Sequence, residues 1–243
     1  PCHVDWYIKK TALYDSSGKM LMPEGSLNID NLKQVSESLP DPPTQYLKVN
    51  NEAITGENDI QNVPFLVRWL ETPLYYEPHF IFFYAYNGPF IFGAGLHECD
   101  IEHITVRIPK DTPDVVKEVY FSQHGSNEGG WVDAKDLHFF EGTHPVCYSA
   151  KASHASYPET KTWFRVCCFA NDYTAEGIHW YPKDLVFVDE KTPWVYYRGK
   201  MGGPKPGHVS ACANQSWWND ETDFTSNQYN RCFPCFPRKP FSC

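Results

Sequence analysis

Apolar and aromatic residues come in short runs along this chain, most of them closed by Gly, Pro, Asp or Asn within a residue or two. Phe80-Ile-Phe-Phe-Tyr-Ala-Tyr86 is continuous, reads as a strand buried on both faces, and stops at Asn87-Gly88-Pro89 turn chemistry. Residues 101–108, 115–122, 146–150, 162–169, 185–188 and 194–198 give further strand-like runs. Residues 26–37 form the best helical segment, while residues 4–13 and 113–117 are too short or too mixed to assign. This pattern predicts a mainly β protein, a β-sandwich with a few short flanking helices.

Residues 38–60, with Pro40, Pro43, Asn50, Asn51 and Gly56, read as a long surface connection, because strand-like sequence follows without a shift in composition. Beyond Gly199 the chain turns to Gly-Gly-Pro, paired Trp217 and Trp218, and four cysteines. Residues 1–200 are therefore expected to form the sandwich, and residues 201–243 a disulfide-rich, loop-rich C-terminal appendage. There is no internal repeat.

Composition narrows the class. Of 243 residues, 42% are hydrophobic and 21% charged, which excludes a disordered tail, and 16% are aromatic, which favours pleated surfaces over helices. A net charge of -9 argues against a nucleic-acid binder or a general basic field for anionic membranes, and leaves cation binding open. The longest apolar run falls far short of the roughly 20 residues a transmembrane helix needs, so no transmembrane segment is expected. The start at Pro1 suits a processed mature chain.

Nine cysteines, namely Cys2, Cys99, Cys147, Cys167, Cys168, Cys212, Cys232, Cys235 and Cys243, are many for a cytosolic protein and point to disulfides and secretion. Their odd number leaves one thiol free, lost from its partner, or available for self-association with another chain. Cys232-Phe-Pro-Cys235 with Cys212 and Cys243 suggests zinc instead, but no second close pair completes that motif. Asn214-Gln-Ser is a glycosylation sequon, in keeping with secretion.

The candidate chemistry centres on His97-Glu-Cys-Asp100-Ile-Glu102-His-Ile-Thr-Val-Arg-Ile108. On a strand, Asp100 and Glu102 share a face with Ile104, Val106 and Ile108, which places two carboxylates at the mouth of an apolar surface. Like charges so placed need compensation, and His97 offers a third ligand, an oxygen-rich set suited to Mg, Ca or Mn ahead of Zn. Partnering by Arg or Lys is the competing reading. His124, His144 and His154 stand at turns or strand ends, where an imidazole serves as ligand, proton carrier or polar rim. Cys99, flanked by carboxylates, makes a poor nucleophile.

Val4-Asp-Trp-Tyr7, Tyr84-Ala-Tyr-Asn-Gly-Pro89, residues 97–106, Ser122-Gln-His-Gly125, His144-Pro-Val-Cys-Tyr-Ser-Ala150 and Ser153-His-Ala-Ser-Tyr-Pro158 together resemble the vacuolar protein sorting-associated protein 62 family, from near residue 4 to about residue 200. That resemblance implies a fold more than a chemistry. A remoter one is to the necrosis- and ethylene-inducing-like secreted cytolysins, which carry Gly-His-Arg-His-Asp-Trp-Glu. His97, Asp100 and Glu102 fall on its first His, its Asp and its Glu, which implies a divalent-cation site at the rim of the sandwich. Leu96, Glu98, Cys99 and Ile101 depart from that motif, and Asn87 is the candidate for a further upstream ligand.

The first functional expectation is a secreted, divalent-cation-dependent binding protein recognising a lipid headgroup or glycan, cytolysin-like in that respect. His97, Asp100 and Glu102 would hold the ion, with Asn87, His124, His144 and His154 on the rim. The first alternative is a metal-dependent hydrolase with His124 or His144 as general base. The second is a structural or assembly protein of an extracellular coat. No elbow nucleophile, His-Glu-x-x-His helix or phosphate loop favours an enzyme. Trp217, Trp218, Phe233 and Phe236 are possible surface contacts for lipid or sugar, or else cover a small core.

Overall fold

The computed structural model describes residues 1–203, apart from residues 42, 89–95, 125–128, 166–170 and 190–191 and the side chain of Tyr196. Its two α-helices are α1 (Val4–Lys9) and α2 (Ile29–Ser38). Its strands begin with β1 (Thr11–Tyr14), β2 (Met20–Met22), β3 (Tyr46–Val49), β4 (Phe65–Arg68), β5 (Tyr75–Tyr76), β6 (His79–Asn87), β7 (His97–Pro109), β8 (Glu118–Phe121) and β9 (Gly130–Asp133). Short hairpin strands follow: β10 (Phe139–Phe140), β11 (His144–Pro145), β12 (Tyr148–Ser149), β13 (Ser156–Tyr157), β14 (Thr162–Trp163) and β15 (Asp172–Tyr173), with β16 (Leu185–Phe187) closing the series.

The main sheet runs β16-β4-β6-β7-β8-β9, with β5 as a seventh strand on β7, while β2-β1-β3 form a second, three-stranded sheet. The protein is mainly β, a sandwich with few short helices. The long run of β6 explains the layering. Ile81, Phe83 and Ala85 point into one core, shared with Tyr7 and Ile8 of α1, Leu32 of α2, and Leu47 and Val49 of β3. Phe82 and Tyr84 point into the other, with Ile104, Val106, Val119 and Phe121 and the partly buried Trp180. The strand is thus buried on both faces, as its unbroken hydrophobicity requires.

The helix expected over residues 26–37 forms over Ile29–Ser38, because the Asn28 side chain accepts from the Asp30 and Asn31 backbone amides while Asn31 reaches back to the Asn28 amide. It ends at Leu39, directly before Pro40, where helix cannot continue. Residues 4–13 divide into α1 and β1.

Several expectations are corrected. Residues 38–60 hold β3, which pairs with β1 and buries Leu47 completely, so this stretch belongs to the sandwich and not only to its surface. Residues 194–198, read as a strand, instead contain most of the 3-10 helix Pro193–Tyr196, which Pro193 opens and which packs on α2 with Trp194, Val195 and Tyr197 buried. The strand expected from residue 115 starts at Glu118, since Val115 is exposed. Among the described residues Cys2, Cys99 and Cys147 form no disulfide, the first two lying deep in the core, so the disulfides expected of them are not seen there. Burial also holds the thiols of Cys2 and Cys147 at about 12, unreactive at neutral pH. A thiol as enclosed as Cys2 or Cys99 cannot reach a second chain. Cys167, Cys168, Cys212, Cys232, Cys235 and Cys243 lie outside the described residues, as do Asn214, Trp217, Trp218, Phe233 and Phe236 and nearly all of the expected appendage.

Candidate functional site

Asp100 and Glu102 stand on β7 opposite Tyr84 and Phe82 of β6, on the face that continues into Ile104 and Val106. Both are buried, so the alternation expected of a regular strand holds at this pair. It fails one residue earlier. Cys99 has a φ of 60°, a left-handed backbone that a non-glycine residue rarely adopts. His97 and Asp100, an odd number of positions apart, would otherwise face opposite ways. With this kink His97 Nε2 lies 3.9 Å from Asp100 Oδ1. Glu98 serves the other layer, where its Oε2 accepts from the Val49 amide at 3.0 Å and the Gly203 amide at 3.1 Å.

His97 is held from both ends, Nδ1 at 3.0 Å from the Cys99 carbonyl and Nε2 at 2.8 Å from Asn87 Nδ2. These bonds link Asn87, the last residue of β6, to the first residue of β7 across the sheet.

A third carboxylate arrives from far along the chain. Asp172, on β15, accepts from His124 Nε2 at 2.5 Å, Ser153 Oγ at 2.6 Å and the Tyr157 hydroxyl at 2.6 Å. Burial alone would raise its pKa. The hydrogen bond and charge of His124, aided by Ser153 and Tyr157, outweigh that and hold the carboxyl below its ordinary value. The neighbouring His154 puts Nδ1 2.9 Å from Asp100 Oδ2. Consecutive side chains, Ser153 and His154, therefore contact two different carboxylates.

Glu102 is the exception. It has no hydrogen bond or ion pair among the described residues, and its pKa is raised well above the usual carboxylate range by burial first, then by the charges of Asp100 and Asp172. Three buried carboxylates within electrostatic reach of one another, ringed by His97, His124 and His154, form an oxygen-rich donor set with imidazole. That is the chemistry a hard or borderline divalent cation takes, and a cation would relieve the repulsion Glu102 carries. As the side chains stand, no three His, Cys, Asp or Glu groups among the described residues converge in a ligating cluster.

His144 is placed elsewhere. It is exposed on β11, bonded to Thr143 Oγ1 at 3.1 Å and to the Tyr181 hydroxyl at 3.2 Å. Of the expected rim, Asn87, His124 and His154 join the acidic cluster through these contacts, whereas the hydrogen bonds of His144 go to Thr143 and Tyr181.

Residues 81–167 match the family Vacuolar protein sorting-associated protein 62. The match holds Asn87, His97, Asp100, Glu102, His124, His144 and His154 and stops short of Asp172. Two solved structures are similar. One is Necrosis and Ethylene inducing Protein 2 from the causal agent of cocoa's Witches Broom disease, at 21% identity over 42% of this chain and 47% of that one, with a TM-score of 0.32. The other is the non-toxic HaNLP3 protein, at 12% identity over 52% of this chain and 51% of that one, with a TM-score of 0.32. The chain thus spans about half the length of the structures it matches. No curated protein matches it.

Sequence reasoning missed Asp172, Ser153 and Tyr157. The signal for Asp172 is faint: Asn171-Asp172 sits at the end of an aromatic run, where it reads as turn chemistry. Among the described residues no helix is long and apolar enough to cross a membrane.

Proposed function

We propose that this chain is a divalent-cation-dependent binding protein, in which Asp100 and Glu102, with His97, hold the ion and His124, His154 and Asn87 line the rim where a lipid headgroup or glycan is recognised. The single observation behind the reading is Glu102: a buried carboxylate without hydrogen bond or counter-ion among the described residues, set against Asp100 and Asp172. A bound cation would supply positive charge at the rim of an acidic protein, a means of engaging phosphate or sugar hydroxyls that the chain's own charge of -9 does not provide. Mg, Ca or Mn suits the oxygen-rich set better than Zn. Secretion is part of this reading, supported by the sequon and by the six cysteines outside the described residues.

Calorimetric titration with Mg, Ca, Mn and Zn salts, on the intact chain and on Asp100→Asn and Glu102→Gln, tests the premise. One saturable site that both substitutions weaken is the expected result. Equal binding in all three proteins would sink the assignment. Liposome flotation and glycan-array binding, each repeated with chelator, then separate the two ligand classes.

One observation favours a second reading, a metal-dependent hydrolase. His124 is only partly buried, and Asp172 fixes it at 2.5 Å, the arrangement that orients a general base. Turnover of generic phosphoester and glycoside substrates that is lost in His124→Ala would support it.

A further inference from the structure

The segment from Ser149 to Tyr157 folds back over the acidic cluster in a strained form. Ala152 and His154 both have left-handed backbones, with φ of 72° and 59°, in a stretch that contains no glycine. Such conformations cost free energy and persist where surrounding contacts enforce them. Those contacts are plain. The Gly88 amide donates to the Ala152 carbonyl at 2.8 Å, the Lys151 amide to the Tyr173 carbonyl at 2.9 Å and the Ser156 amide to the Ser122 carbonyl at 3.0 Å. Ser153 is anchored on Asp172.

The strain places one side chain. The His154 ring lies flat on Tyr84, 3.9 Å between centroids and 3° between planes, with Nδ1 at Asp100 Oδ2. Tyr84 belongs to β6, directly opposite Asp100, so the stack and the hydrogen bond hold the imidazole against the carboxylate from two sides. Asp100 is thereby occupied by a group from its own chain.

We propose that His154 is an internal plug: it takes the place at Asp100 that a divalent cation takes, and cation entry displaces the ring from Tyr84 and Asp100 while Ser153 on Asp172 keeps the strap anchored. This inference rests on the cation reading above. It assigns His154 a role opposite to that of a ligand, because a ligand strengthens binding and a plug weakens it. Ala152 and His154, both in strained backbone, are the positions where the strap gives way, since leaving the left-handed region relieves strain.

The test uses the full chain. Calcium and magnesium chloride are titrated calorimetrically into the wild type and His154→Ala, and the His154 ring protons are followed by NMR in the wild type. Removing the plug is expected to tighten cation binding by about tenfold, the order of one hydrogen bond to a charged group. In the wild type the ring-current shift that Tyr84 imposes on His154 is expected to disappear at cation saturation. Should His154→Ala fold poorly, His154→Asn keeps a residue that tolerates left-handed backbone and should also bind more tightly than wild type. Weaker or unchanged binding in a folded variant, or a His154 shift that survives saturation, overturns the plug and leaves the cation reading standing. Absence of binding in wild type and variants alike overturns both. Binding that emerges only in the variants supports the plug directly.

Discussion

Replacing Arg107 with Met should be among the most damaging single changes in the main sheet. Arg107 on β7 donates from Nε to Glu77 at 2.5 Å and from Nη1 to Glu118 at 2.6 Å, and both glutamates are essentially without solvent exposure. Its guanidinium lies 4.0 Å from the centroid of Trp131 and 5.0 Å from that of Tyr75. Methionine keeps most of the volume and removes the charge, leaving two buried carboxylates without this partner. Breaking a buried pair in this way costs about 3–5 kcal/mol, and the lost contact with Trp131 adds about 1 kcal/mol. At roughly 2–4 °C per kcal/mol for a chain of this size, the melting temperature at pH 7.5 should fall by about 10–15 °C.

The pH dependence makes this diagnostic. Glu77 already sits above its ordinary pKa through burial, despite the hydrogen bond to Arg107. Without the guanidinium its folded pKa rises further. A carboxyl raised in the fold contributes stability below its unfolded value near 4.5 and loses it as pH climbs through the folded value. The gap between wild type and Arg107→Met should therefore narrow on going from pH 7.5 to pH 5, while other titrations cancel in the difference. Thermal unfolding followed by circular dichroism, with urea midpoints as a second measure, reads the gap. A loss under 1 kcal/mol at pH 7.5, or a gap that widens on acidification, would refute the reasoning. A triple variant that also carries Glu77→Gln and Glu118→Gln should recover much of the loss.

The remaining expectations are shorter. His79 and His103 meet edge to face at 4.6 Å, and burial lowers the pKa of His103 to about 4 and that of His79 well below its usual value. Both fold neutral, so the wild type should lose stability as pH falls from about 6.5 through 4, by about 3 kcal/mol from His103 alone, and His103→Phe should flatten that limb of a plot of melting temperature against pH. Gly202→Ala sets a Cβ 2.4 Å from the Glu98 carbonyl oxygen, and a loss of about 1–3 kcal/mol in urea unfolding is expected; a neutral result would mean that residues 198–203 do not pack against β7 as described. Tyr157→Phe removes a 2.6 Å donor to buried Asp172 and should cost about 1–3 kcal/mol while raising the Asp172 pKa, observable by carboxyl-carbon NMR titration.

Much of this was readable from residue order where a local rule acts alone. The double-faced burial of β6 follows from an unbroken apolar run, the start of α2 from the Asn28 and Asn31 cap, and the common face of Asp100, Glu102, Ile104 and Val106 from alternation along a strand. The rest depended on neighbours distant in sequence. Pro193 opens a 3-10 turn because α2 offers Trp194 and Val195 a surface to pack on, and an aromatic run that suits a strand accepts that instead. β3 is four residues between Pro- and Asn-rich segments, and its pairing with β1 on one side and with Lys200 on the other makes it a strand. Cys99 hides in the sequence as one more strand residue, yet its left-handed backbone decides that His97, and not Glu98, meets Asp100. Asp172 comes from a two-residue strand whose position is set by three donors on other elements.

The way buried acids are satisfied separates support from function. Glu77 and Glu118 share the guanidinium of Arg107, and Glu98 is tied by two backbone amides. Those partners are permanent, and the carboxylates they hold fasten strands together. At Asp100 and Asp172 the nitrogen partners are imidazoles, which can turn away on a side-chain torsion, and Glu102 has none among the described residues. A fold that needed these acids only for stability would gain by giving them arginine or amide donors, as it does a few residues along the same strand. A partner that can turn away has a use where the compensating group is to be exchanged, and the cation proposed at Asp100 and Glu102 would be such an exchange, with the strained strap bearing His154 as the part that yields.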